Sequence, residues 1–92
     1  MEIKLYAMLR RVVGKKIVEL PIEEEITIQQ LVDKLVKRYP DLRGELLDET
    51  GRVFGHIHVF INGRNARSLK ETMKTVVRPE DTVDIFPPVG GG

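Results

Sequence analysis

Residues 27–40 run Thr27-Ile28-Gln29-Gln30-Leu31-Val32-Asp33-Lys34-Leu35-Val36-Lys37-Arg38-Tyr39-Pro40. Apolar side chains recur at Ile28, Leu31, Val32, Leu35, Val36 and Tyr39, one stripe at the helical period. Thr27 followed three residues later by Gln30 has capping-box spacing: the hydroxyl accepts from a free backbone N–H while the amide reaches back. Pro40 disfavours helical backbone at Tyr39, so the helix should end there. Glu23, Glu24 and Glu25 precede the positive end of the helix dipole, and Lys34, Lys37 and Arg38 lie toward the negative end. A helix with one apolar stripe has to bury it against another element.

The segments on either side supply that element. Before the helix, Ile3, Leu5, Ala7 and Leu9 alternate with polar or larger residues, the period of a half-buried strand. Gly14-Lys15 reads as a turn and Lys16 to Leu20 as a returning strand, together an N-terminal β-hairpin. After the helix, residues 41–55 read as a loop with a short helical turn at Leu46-Leu47, interrupted by Gly44, Gly51 and Gly55. His56 to Asn62 alternates again, with Ile57, Val59 and Ile61 on one side, and Asn62-Gly63 marks a turn. Ser68-Leu69-Lys70-Glu71 is a second capping-box match. Arg78-Pro79-Glu80-Asp81 is turn chemistry, and Thr82 to Phe86 is a last strand ended by Pro87-Pro88, which cannot donate to a ladder. The expected fold class is α+β: a mixed sheet of four to five strands, the first and last side by side and parallel, one face covered by the main helix and the other open.

Composition narrows the function. With 92 residues the chain holds one domain. Lys and Arg number 15 against 14 Asp and Glu, a net charge of +1, which argues against direct binding of nucleic acid. Cysteine is absent, so disulfides, thiolate nucleophiles and sulfur-based zinc sites are excluded, and the chain suits a reducing cytoplasm. No apolar run approaches the length of a membrane span. Ser68, Thr72 and Thr75 have no accompanying His–Asp arrangement, so nothing supports a hydrolase.

The last residues, Pro87-Pro88-Val89-Gly90-Gly91-Gly92, are the most informative. Two prolines favour an extended exit from the sheet, and glycines without side chains can thread a channel too narrow for a Cβ. At roughly 3.3–3.6 Å per residue, Val89 to Gly92 projects about 13 Å. The α-carboxyl at its tip has a pKa of ~3.3–3.7, is ionised at neutral pH and is a poor electrophile. It reacts only after activation, for example as an acyl-adenylate. No G-x-x-x-x-G-K-[ST] loop is present to bind ATP, so another protein must supply that chemistry.

The ending Asp84-Ile85-Phe86-Pro87-Pro88-Val89-Gly90-Gly91-Gly92 resembles the C-terminus of the MoaD-type sulfur carriers, the small subunit of molybdopterin synthase, and of archaeal ubiquitin-like small modifier proteins. These belong to the MoaD/ThiS superfamily, whose typical ending is Phe-Pro-Pro-Val-Ala-Gly-Gly. The opening Lys4-Leu5-Tyr6-Ala7-Met8-Leu9-Arg10, the helix from Thr27 and the Ile61-Asn62-Gly63 turn also sit where such proteins have them. The resemblance implies a β-grasp (ubiquitin-like) domain over residues 1–88 and a flexible glycine tail over 89–92. It implies a carrier acted on by enzymes, with no cofactor of its own. A ubiquitin-activating-type partner would adenylate Gly92 with ATP and magnesium. A persulfide enzyme would then provide sulfur to form a thiocarboxylate. The acceptor would be a precursor on the molybdopterin synthase large subunit, in molybdenum cofactor biosynthesis, or a tRNA base. In the modifier branch the activated glycine instead forms isopeptide bonds with lysines of target proteins. By position, Gly92 is the reactive terminus, and Gly91, Gly90, Val89 and Pro88 thread into the partner. Two departures bear on the acceptor: Gly90 replaces the usual Ala, and the longer 41–55 segment resembles the archaeal modifiers.

Register gives a docking surface. With odd positions facing the helix in the first and third strands, Tyr6, Met8, His56, His58 and Phe60 face away. In the last strand Asp84 and Phe86 do the same. Tyr6, Met8, Phe60 and Phe86 then form an apolar group on the open face near the tail, as interfaces often show. His56 and His58 at i, i+2 lack a third ligand and carry no metal site. Arg10, Arg11, Lys15 and Lys16 form a basic cluster suited to a solvated turn or an acidic partner. The rival from another class is a β-grasp interaction module whose tail is inert.

Overall fold

Thr27 caps the helix as its spacing predicts. In the computed structural model, which describes residues 1–54, 56–66 and 75–87, Thr27 Oγ1 accepts from Gln30 N–H at 3.1 Å and Gln30 Oε1 accepts from Thr27 N–H at 2.9 Å. The elements in chain order are β1 (Glu2–Leu5), α1 (Met8–Val13), β2 (Ile17–Glu19), β3 (Ile26–Thr27) and α2 (Ile28–Arg38). A 3₁₀ turn (Pro40–Leu42) and α3 (Arg43–Leu46) follow, then β4 (His58–Ile61), β5 (Arg64–Asn65), β6 (Val76–Val77) and β7 (Thr82–Phe86). Tyr39, before Pro40, closes α2 by donating its N–H to Leu35 O at 2.8 Å.

The main sheet has five strands in the order β2-β1-β7-β4-β5, and β3 and β6 form a separate two-stranded sheet. β1 and β7 are parallel neighbours; β2, β4 and β5 join antiparallel. This is the β-grasp arrangement, with the last strand at the centre of the sheet. Ile3, Leu5, Val18, Val59, Val83 and Ile85 point from the sheet into one core with Ile28, Leu31, Val32 and Leu35 of α2. Leu42 and Leu46 extend that core from the 3₁₀ turn and α3. Gln29 ties the following loop to α2: its Nε2 donates to Gly51 O at 3.0 Å and its Oε1 accepts from Val53 N–H at 3.2 Å. Asn62-Gly63 makes the two-residue turn expected of it, with φ of 52° and 82° and Ile61 paired to Arg64.

The N-terminal hairpin is corrected. The strand ends at Leu5, and Tyr6 to Leu9 form a turn in which Leu9 N–H donates to Tyr6 O at 3.2 Å. Ala7 there has φ 52° and ψ −129°, a backbone state that favours glycine. Leu9 is fully buried as the alternation requires, but it reaches the core from α1. Gly14 is the left-handed cap of that helix, at φ 84°, and not a hairpin turn. The return strand is shorter than expected, and β1 and β2 are joined through α1. His56 also lies outside β4 and stacks on Phe54 with centroids 4.6 Å apart, so it shares no strand face with His58. The capping-box match at Ser68 to Glu71 lies outside the described residues, as does the tail from Pro88 onward.

Candidate functional site

β7 leads to the tail, and its neighbours on both sides shape what surrounds the exit. Val83 and Ile85 are fully buried, which turns Thr82, Asp84 and Phe86 to the open face. Pairing across the sheet sets Phe86 opposite His58, and Asp84 between Lys4 and Phe60. Tyr6, just past the end of β1, stacks on Phe86 with ring centroids 4.1 Å apart and planes 11° from parallel. Phe60 meets Phe86 edge-on at 5.3 Å and 70°. Both geometries suit the ring quadrupoles, and each pair is worth about 0.5–1.5 kcal/mol beyond its burial. The trio is therefore half-buried against itself and preorganised in the free protein.

Polar groups anchor one side of this cluster. Tyr6 Oη donates to Asp84 Oδ1 at 3.3 Å, and Lys16 Nζ lies 5.8 Å from the Tyr6 ring centroid. Burial pushes the Tyr6 hydroxyl pKa above its ordinary value, and the charge of Asp84 and the hydrogen bond to it push the same way. The phenol therefore stays protonated as a donor. On the other side, His58, Phe60, Asn65 and Phe86 line a shallow, mostly apolar depression of about 330 Å³. Pro87, the residue after β7, is buried, so the chain is held by the body up to that point.

Tyr6, Phe60 and Phe86 thus come together on the open face. Met8 does not belong to that alternation: it is the first residue of α1, 39% exposed, because the strand has already ended. Pro88, Val89, Gly90, Gly91 and Gly92 lie outside the described residues. Asn65 and His58 were not among the expected site residues. The signal for Asn65 was present, since a two-residue turn at Asn62-Gly63 forces Asn65 opposite Phe60. The surface offers shape, ring faces and a few fixed polar groups, which suits it to docking. Among the described residues no group of three His, Cys, Asp or Glu side chains is placed to hold a metal ion. Nor is any helix among them long and apolar enough to cross a membrane.

Comparison with known proteins agrees with this architecture. The sequence pattern of the ThiS family matches residues 3–92. Small archaeal modifier protein 3 of Haloferax volcanii is 34% identical over 92 residues, covering 100% of this chain and 98% of the relative. A putative sulfur carrier protein of Archaeoglobus fulgidus is 36% identical over 69 residues, 75% of this chain and 77% of the relative. The crystal structure of SAMP1 from Haloferax volcanii superposes with a TM-score of 0.85 at 30% identity, covering 100% of this chain and 98% of that one.

Proposed function

The chain belongs to the ThiS family of ubiquitin-like sulfur carriers and modifiers, and from that membership we propose that Gly92 is its reactive group. A separate adenylating enzyme joins the Gly92 carboxylate to AMP, using ATP and magnesium and releasing pyrophosphate. The outer sulfur of a persulfide on a partner enzyme attacks the adenylate and displaces AMP, giving an acyl disulfide. A second partner thiol then cleaves its S–S bond, forming a disulfide with the partner cysteine and releasing the thiocarboxylate. That group donates sulfur to a molybdopterin precursor held by the large subunit of molybdopterin synthase. The observation that supports this reading most is the run of β7 into buried Pro87 beside the stacked Tyr6 and Phe86 and the edge-on Phe60. It gives the tail a fixed origin and a docking surface at that same end of the sheet.

A second reading of the same tail is favoured by the names of two relatives that span this whole chain, both small archaeal modifier proteins. In it, a lysine amine of a target protein attacks the Gly92 carbonyl of the adenylate or of a thioester made from it, releasing AMP or the thiol as the isopeptide bond forms. Sulfur donation to a tRNA base is a further use of the thiocarboxylate.

Intact-mass analysis of protein recovered from its native cell tests the proposal. The expected result is a subpopulation with one oxygen replaced by sulfur, or glycine remnants on lysines of other proteins. Deleting Gly91 and Gly92 should abolish both and leave the melting curve unchanged. A cell that holds an adenylating partner yet yields only free carboxylate and no conjugates would overturn it.

A further inference from the structure

β2 is the outer edge of the main sheet, and the tail chemistry makes no use of it. Leu20 exchanges backbone hydrogen bonds with Met1 at 2.7 and 2.9 Å, and Leu5 N–H donates to Lys16 O at 2.7 Å. Bonded and non-bonded pairs alternate along an antiparallel ladder. Lys16, Val18 and Leu20 therefore direct their backbone groups to β1, whereas Ile17 and Glu19 direct theirs away from the sheet. Such an edge is a template for one more strand. The Ile17 side chain stands on the open-face side of that edge and is 45% exposed.

On the helix side of the same edge, Leu20, Pro21 and Ile22 meet Lys34, Lys37 and Arg38 of α2 around a groove of about 250 Å³. Its floor is apolar and its rim is cationic. Among the described residues none of these three cations has a carboxylate within ion-pair distance; the Arg38 guanidinium lies 5.7 Å from the Tyr39 ring centroid. Lys15 and Lys16, both exposed, continue the positive charge into the start of β2. At the opposite end, Glu23 and Glu24 border the adjoining depression along Pro21 and Ile22. The groove itself is cationic, and the adjoining depression, which Lys34 also lines, adds Glu23 and Glu24 beyond Ile22.

We propose that this groove receives an extended segment of another protein, apolar in its middle and carboxylate-rich at one end, by strand addition to β2. Its backbone pairs with Ile17 and Glu19. Alternate side chains fall into the groove over Leu20 and Ile22 and over Ile17, covering an aliphatic side chain that is otherwise wet. Its carboxylates meet Lys37 and Arg38. Main-chain pairing gives such a contact its strength and the alternate side chains give it selectivity. Glu23 and Glu24 reject a segment that is acidic throughout. No tail residue takes part.

The test uses the full chain, isotope-labelled for amide NMR, and a synthetic peptide with an Ile-Val-Ile run followed by aspartates. The control peptide carries lysines in place of the aspartates. Amide shifts are expected at Ile17, Val18, Glu19, Ile22, Lys34, Lys37 and Arg38, with the control silent and with binding unchanged when Gly91 and Gly92 are deleted. Lys37→Glu with Arg38→Glu should weaken binding about tenfold and steepen no other property of the fold. Glu19→Pro removes an outward N–H and should weaken binding similarly; if that variant fails to fold, the charge reversal decides alone. Shifts confined to Tyr6, Phe60 and Phe86, equal binding of the control, or indifference to charge reversal would each overturn the proposal.

Discussion

Phe60→Ala separates docking from folding, because its cost to each can be worked out independently. The Phe60 ring is half-buried and meets Phe86 edge-on at 5.3 Å. Losing half the burial of an aromatic side chain costs about 1 kcal/mol, and losing the ring pair about 0.5–1.5 more. The sum, roughly 2 kcal/mol, is well below the 3–5 typical of a fully buried Phe. A 92-residue domain has a stability of roughly 5–14 kcal/mol, so the variant stays folded, with a midpoint roughly 8–16 °C lower. If the aromatic trio is the docking surface, truncating its outer ring costs a further ~1–2 kcal/mol of binding. That is roughly a 5–30-fold rise in the KM of adenylation. The tail is untouched, so kcat at saturation should not change. The assay is pyrophosphate exchange with the purified adenylating enzyme, run below the variant's melting range, beside urea denaturation of the carrier alone. An unchanged KM with the expected loss of stability would show that the ring only packs, and a lower kcat at constant KM would refute the separation of face from tail.

Three further outcomes follow from local geometry. Ala7→Gly relieves a residue at φ 52° and ψ −129° that is exposed and has no packing to lose. Strain of about 1–3 kcal/mol against a glycine entropy cost of about 0.5–1 leaves a gain near 1 kcal/mol, read as a higher melting point; a lower one would show that the turn is unstrained. Thr27→Ala removes the hydroxyl that accepts from Gln30 N–H and should cost about 1 kcal/mol in urea unfolding, with no loss at all disproving the cap's role. Asp48 accepts from the Thr50 hydroxyl, and from the Thr50 and Arg52 amides, and these bonds, that to the Thr50 hydroxyl foremost, hold its pKa below the ordinary 3.8. A depressed carboxyl stabilises the fold above its unfolded pKa and stops doing so as pH falls through the folded one. Protection of the Thr50 and Arg52 amides, taken against their intrinsic exchange rate at each pH, should therefore be lost only below about pH 4, and in Asp48→Asn that acid step should vanish.

The residues that alternate or recur cleanly were legible, and those whose neighbours are distant were not. α2 could be read to its caps because the stripe, Thr27 with Gln30, and Pro40 all indicate the same limits. Phe60 and Phe86 could be placed on one face because they alternate with Val59, Val83 and Ile85 in β4 and β7, and Tyr6 because the alternation of β1 carries one residue past Leu5 before it fails. Residues 3–9 misled because Ala7 and Leu9 continue a period of two by coincidence. The spacing Leu9, Val12, Val13 is helical, and over so short a run the two periods compete. β3 and β6, two residues each, are too short to show any period. The groove beside β2 had no sequence signature, since it exists only where residues 20–22 come to rest against α2. The Tyr6–Asp84 bond joins residues 78 apart and is likewise a product of the parallel β1–β7 pairing.

That pairing has a mechanical consequence. β7 is laced to β1 on one flank and to β4 on the other, and the tail leaves from its end. Traction on a molecule coupled through Gly92 would load both ladders lengthwise, so their bonds must rupture together instead of unzipping one by one. We predict single-step rupture at high load in optical-tweezers pulling from the last residue, whereas stepwise peeling at low load would contradict it. On the isopeptide reading proposed above, a load applied through a conjugated target reaches both ladders at once.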